Sequence, residues 1–162
     1  MLLAIDASRA AGVQKTGVGW YCHHLLRNLK DVIPDDVGVV LYSDQPLPEE
    51  LRSWPNHWEE RVLRRHGPMW SQLILANAVL RDQPDVLFVP AHVIPFTLAI
   101  APRNRRPRLV TTIHDVVFKA FPETYSLRER WYADHATRLA VRHADRIIVP
   151  TQHVASELKQ WY

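Results

Sequence analysis

The sequence predicts an α/β protein: a Rossmann-like parallel sheet of about six or seven strands with helices on both faces, a three-layer α/β/α domain over residues 1–162. Short β-branched runs alternate with stretches of helical periodicity, which is the signature of strands joined by crossover helices. The composition agrees: 162 residues, 47% hydrophobic and 23% charged, suit one soluble globular core.

Taken in order, Leu2 to Ile5 is the first apolar run and ends at Asp6. A loop with Gly12, Gly17 and Gly19 follows, and then Val18, Tyr21, Cys22, Leu25, Leu26 and Leu29 form one helical stripe, stopped by Pro34 and Asp35. Val37 to Leu41 reads as the second strand. The signal is weaker from Gln45 to Trp58, with a short helix expected around Pro48 to Ser53, and Glu60 to Leu63 is the third strand. Trp70, Leu73, Ile74 and Ala78 mark a helix that ends before Pro84. Val86 to Val89 is a buried strand closed by Pro90, and a proline-bearing segment runs on to Pro107. Leu109 to Ile113 is the next strand and ends at His114–Asp115. Ser126 caps a helix to about His143, Arg146 to Val149 is the last strand, and Thr151 caps a helix still in progress at Tyr162.

The net charge of +3 is mild. Sixteen of the twenty basic residues are arginine, and Arg103, Arg105, Arg106 and Arg108 are the densest group. Such a group either binds a phosphorylated acceptor or an anionic lipid head group, or simply solvates a loop between Pro102 and Pro107. It lacks interleaved aromatics and any nucleic-acid recognition motif, so no nucleic-acid partner is expected. Cys22 is the single cysteine, and no internal disulfide is possible. Asp6 and Arg9 interrupt any leader-like apolar stretch after Met1, and Val93 to Pro102 is half the length of a membrane span. The expected location is the cytoplasm, with peripheral contact at the inner membrane face.

Ligands of open parallel sheets bind outside the carboxyl ends of the strands. That rule selects the loop after Asp6, the segment after Val89, the His114–Asp115 pair and the neighbourhood of Thr151. In the first loop, Gly17 and Gly19 flank Val18 before a helix, where bare amides attract an anion; the same glycines equally suit a plain turn. No P-loop is formed, because Gly17-Val18-Gly19 stands where Gly-Lys-Ser/Thr is needed. His114 can exchange a proton or bond a hydroxyl, with Asp115 fixing its tautomer or binding a hydroxyl itself; a strand-end histidine bonded to local backbone is the plainer reading. Asp6 is of the kind that usually only holds its loop. No metal is expected: His23 and His24 point to different faces of a helix, and no HExxH occurs. There is no Gly-x-Ser-x-Gly elbow either.

Four segments in order resemble one family: Ile5-Asp6-Ala7-Ser8-Arg9; Thr16-Gly17-Val18-Gly19-Trp20-Tyr21 with Leu25-Leu26; Thr111-Thr112-Ile113-His114-Asp115 with Phe121-Pro122; and Ala144-Asp145-Arg146-Ile147-Ile148-Val149-Pro150-Thr151 leading to Ser156-Glu157-Leu158. They are similar to the N-terminal, acceptor-side domain of retaining family 4 glycosyltransferases of the GT-B fold, especially bacterial mannosyltransferase-like members of polysaccharide biosynthesis. The resemblance implies metal-independent transfer of a sugar from a nucleotide-sugar donor to a glycan or lipid-linked acceptor with retained configuration, and no cofactor. It places Gly17, Val18 and Gly19 beside donor and acceptor, His114 and Asp115 at the reaction centre, and His92 and Thr151 along the cleft. The sequence departs from the family at Pro150–Thr151, where a serine is usual. The family's donor-binding C-terminal domain is absent from this chain, so the domain alone is expected to be inactive. Two other readings stand beside this one. A dinucleotide-binding Rossmann domain would use Asp44, and a non-catalytic sugar- or partner-binding module would need no catalysis.

Overall fold

The computed structural model describes residues 1–64 and 69–162. Strands β1 (Leu2–Asp6), β2 (Gly38–Ser43), β3 (Trp58–Val62), β4 (Val86–Val89), β5 (Arg108–Thr112) and β6 (Arg146–Ile148) form one sheet. Their spatial order is β3-β2-β1-β4-β5-β6, and every neighbouring pair is parallel. The order reverses between β1 and β4, so the crevice that such sheets offer to ligands opens where these two strands end.

Side chains alternate across each strand and therefore divide the core into two layers. On one face, Ile5, Val39, Leu41 and Phe88 pack with Cys22 and Leu26 of α2 (Gly17–Leu29) and with Ala10 and Ala11 of the short α1 (Ser8–Ala11). On the other face, Ala4, Val40, Leu87, Val89 and Leu109 pack with α3 (Ala76–Asp82), α4 (Phe96–Ile100), α5 (Val117–Ala120) and α6 (Leu127–His143). α7 (Gln152–Trp161) follows β6. The predicted three-layer α/β/α fold is present, with six strands among the described residues.

Element ends follow local chemistry. Ser126 accepts the Glu129 N–H while Glu129 reaches back to the Ser126 N–H, a reciprocal cap at the start of α6. Gln83 closes α3 in the left-handed region at φ 48°, which stops the helix before Pro84. A π-helical stretch, Trp70–Leu75, leads into α3 and is anchored by the Trp70 indole N–H on the Leu63 carbonyl at 2.6 Å.

Several expectations shift. β3 begins two residues earlier than Glu60, and the helix expected around Pro48 to Ser53 is a single 3-10 turn, Glu49–Leu51. α1, α4 and α5 occupy stretches the pattern reads as loop, each only four or five residues long. The arginine group lies at the amino ends of the strands, away from the ligand-binding edge, because it directly precedes β5. Arg106 is buried there, donating to Asp145 at 2.9 Å and to the His143 carbonyl at 3.1 Å, while Asp145 accepts the Leu109 N–H. Its job is to tie β5 to the start of β6. Among the described residues, no helix is long and apolar enough to cross a membrane.

Candidate functional site

β1 ends on Asp6, which is buried and accepts both the Ser8 N–H at 3.0 Å and the Ser8 hydroxyl at 2.6 Å. Burial pushes its carboxyl above the ordinary value; the two Ser8 bonds and Arg9 pull the other way. Its role here is to fold the chain tightly into α1, and this aims Arg9 outward. The Arg9 side chain is exposed and makes no hydrogen bond or ion pair among the described residues. Its charge nevertheless reaches Asp6, Cys22 and His92.

The chain then enters α2 at Gly17. Thr16 occupies the N-cap without a side-chain bond, and the first turn carries no acidic residue, so the leading amides keep no internal partner. The two glycines differ in what they permit. A Cβ built on Gly17 meets nothing within 4 Å, whereas one on Gly19 lies 3.0 Å from the Arg9 carbonyl and 3.1 Å from Lys15 Cβ. Gly19 thus lets α1 and α2 approach, and Gly17 leaves space open in front of the helix. Val18 is half-buried against the core on the α2 side of the sheet, so only its backbone faces a ligand. Gly17→Ala is expected to leave the melting temperature within a few degrees of wild type. Gly19→Val should cost about 1–3 kcal/mol through overpacking. Thermal melts of the two variants check this.

Across from α2, β4 and β5 deliver the turns Pro90-Ala91-His92 and Ile113-His114-Asp115. His114 Nε2 lies 3.1 Å from the Pro90 carbonyl, which can only accept, so Nε2 carries the proton. The Cys22 thiol donates to the same carbonyl at 3.5 Å. Tyr21, one turn into α2, sets its ring edge-on to His114 with centroids 4.8 Å apart, and its hydroxyl is 3.3 Å from Thr112 Oγ1. His92 Nε2 accepts the backbone N–H of His114 at 3.1 Å and of Asp115 at 3.4 Å. The Asp115 carbonyl lies 3.2 Å from the same Nε2, which accepts from the two amides in one tautomer and donates to this carbonyl in the other; burial lowers the pKa of His92, against the opposing pull of Asp115. The ring of His92 is a pin for the turn that presents His114.

The structure thereby brings Gly17, Gly19, His92, His114 and Asp115 to one edge, through Tyr21 on His114, Cys22 on Pro90 and Arg9 beside Gly19. It revises several roles. The tautomer of His114 is fixed by the Pro90 carbonyl and not by Asp115, whose Oδ1 accepts the Val117 N–H at 3.2 Å and so caps α5. Thr151 is exposed at the end of the edge strand β6, and its hydroxyl accepts the Val154 N–H at 3.2 Å to cap α7. Tyr21 and Arg9 belong to this edge, although the sequence pattern assigns the first to an apolar stripe and gives the second no role. Among the described residues, no group of three or more metal-ligating side chains converges. A groove of about 510 Å³ starts at Tyr21 and runs along α2 to Val32, away from these turns.

A family model described as Glycosyltransferase Family 4 matches residues 15–162. No curated protein sequence matches the chain. Among solved structures, the chain is similar to a short-chain dehydrogenase/reductase from Burkholderia vietnamiensis, with 13% identity, a TM-score of 0.43, and coverage of 99% of this chain and 91% of that one. That similarity is too slight to bear on chemistry.

Proposed function

The chain belongs to glycosyltransferase family 4, and from that premise we propose that its carboxyl-edge turns position the transferred sugar of a nucleotide-sugar donor beside an acceptor hydroxyl. In the reaction the bond from the anomeric carbon to the diphosphate breaks and a bond to the acceptor oxygen forms. The acceptor proton leaves with the nucleoside diphosphate, and configuration is retained. The observation that carries the reading is the convergence on His114 of Tyr21 from α2, Pro90 from β4 and His92 from the same turn.

Within that arrangement each group has a distinct task. With Nε2–H engaged by Pro90, the His114 ring offers Nδ1 to a sugar hydroxyl. Gly17 and the leading amides of α2 face the phosphates, and Arg9 adds a guanidinium suited to bidentate phosphate contact. His92 and Asp115 act indirectly, by holding the turn. The main grip on the donor nucleotide lies in a second, C-terminal domain, so residues 1–162 alone do not turn over. No metal or cofactor takes part. The acceptor is a glycan or a lipid-linked sugar, met in the cytoplasm at the membrane face.

A polypeptide joining this domain to its donor-binding partner should release nucleoside diphosphate from a nucleotide sugar in the presence of EDTA, with retained configuration in the product by NMR. Transfer abolished by EDTA, or an inverted product, would overturn the reading. Equal turnover by residues 1–162 alone would overturn its two-domain part.

A further inference from the structure

The short helix α5 begins at the candidate site and is closed at both ends by carboxylates. It is a single turn, Val117–Ala120, too short to hold its shape without tertiary contacts. At its start Asp115, the residue after His114, accepts the Val117 N–H on Oδ1 at 3.2 Å. Near its end the Lys119 Nζ lies 2.5 Å from Asp134 Oδ1 of α6, on a side chain only 19% exposed. The same ammonium lies within 6.0 Å of the ring centroids of Phe118, Trp161 and Tyr162, and each ring face attracts it.

Asp134 serves three donors: Lys119, the Tyr162 hydroxyl at 2.6 Å and the Arg138 Nε at 3.1 Å. Burial pushes its carboxyl up, but bonds from these three outweigh burial and hold it below the ordinary value. Of the three, Lys119 alone comes from α5; Arg138 lies on α6 itself and Tyr162 closes α7. Losing Lys119 therefore frees the end of α5 while Tyr162 still joins α7 to α6. Val116 and Phe118 are buried and seat the segment in the core, but apolar burial is non-directional and sets depth more than direction. A charge-assisted bond sets direction. We propose that Lys119 is a positioning residue for sugar transfer: its bond to Asp134 fixes the far end of α5 and so holds the His114–Asp115 turn at the near end. This rests on the function proposed above for that turn.

Amide hydrogen exchange on residues 1–162, followed by NMR, reads the turn without catalysis. In Lys119→Met the His114 amide, which lies 3.1 Å from His92 Nε2, should exchange at least about tenfold faster than in wild type, with the central-strand amides of Ile5 and Leu87 unchanged. Arg138→Ala removes the other cation on Asp134 but leaves α5 tied, and should keep the wild-type rate at His114. Lys119→Gln provides the same reading should Lys119→Met fold poorly. In a polypeptide that includes the donor-binding domain, Lys119→Met should lower kcat about tenfold, with KM for the nucleotide sugar within about twofold of wild type. The proposal fails if the His114 amide keeps its wild-type rate, if Ile5 and Leu87 accelerate with it, or if Arg138→Ala accelerates it equally. It fails too if an active polypeptide keeps its kcat. A wild-type polypeptide that transfers no sugar would instead overturn the function proposed above and the catalytic half of this proposal, while exchange still decides whether Lys119 holds the turn.

Discussion

Arg106→Ala is expected to destabilise the domain by about 3 kcal/mol, because it leaves a largely buried carboxylate without its main counter-charge. The Arg106 side chain is only 4% exposed and Asp145 19%, so water compensates little. Arg103 also approaches Asp145, at 3.6 Å, but its side chain is 80% exposed; Arg103→Ala should cost less than about 1 kcal/mol. In melting temperature the first change corresponds to roughly 10 °C. Burial raises the Asp145 pKa, but the Leu109 N–H and Arg106 outweigh it and leave the carboxyl below its ordinary value. A depressed carboxyl contributes stability that is present above about pH 4 and is lost as pH falls through the folded-state value. Arg106→Ala should therefore also flatten the loss of stability on acidification. Melts of both variants at neutral pH and near pH 3 check the pair of statements.

The fold was readable because strands in a doubly covered parallel sheet are continuous apolar runs. Val86–Val89 is such a run and matches β4 to the residue. The long helices were equally plain, since Ser126 with Glu129 signals the start of α6 directly. What escaped was short or proline-bound. α1 is one turn whose core contribution is two alanines, Ala10 and Ala11, too little for any periodicity to register. α4 sits in a stretch whose prolines argue for loop, and α5 is only four residues long and ends just before Phe121–Pro122.

At the candidate site, positions were legible and orientations were not. The strand-end rule locates His92, His114 and Asp115 without coordinates, since it needs only the strands. Where an imidazole turns depends on backbone groups from other segments. His92 meets the amide of a residue 22 positions away, and His114 a carbonyl 24 positions away. Asp115 two residues before Val117 is a local capping pattern that a closer look at the sequence would have favoured over a ligand contact. Tyr21 was hidden by its fit to the apolar stripe; the signal was a hydroxyl on a helix face otherwise held by Leu, Val and Cys. For Arg9 the signal was position alone, three residues past the first strand.

His114→Ala tests the central claim, that the turn after β5 positions the transferred sugar. The ring contacts Tyr21, His92 and Pro90, so a purely structural role would also be credible from packing. The two roles separate in what they move. Loss of one positioned group at a reacting centre lowers turnover by about a hundredfold, with the larger part in kcat when the contact matters most in the transition state. Loss of a half-buried strand cap lowers stability and leaves activity per folded molecule intact. The measurement is kcat and melting temperature on one sample of His114→Ala in a polypeptide that includes the donor-binding domain. A fall in kcat of about a hundredfold with a melting temperature within a few degrees of wild type is the predicted result; a folded enzyme with unchanged specific activity would contradict it.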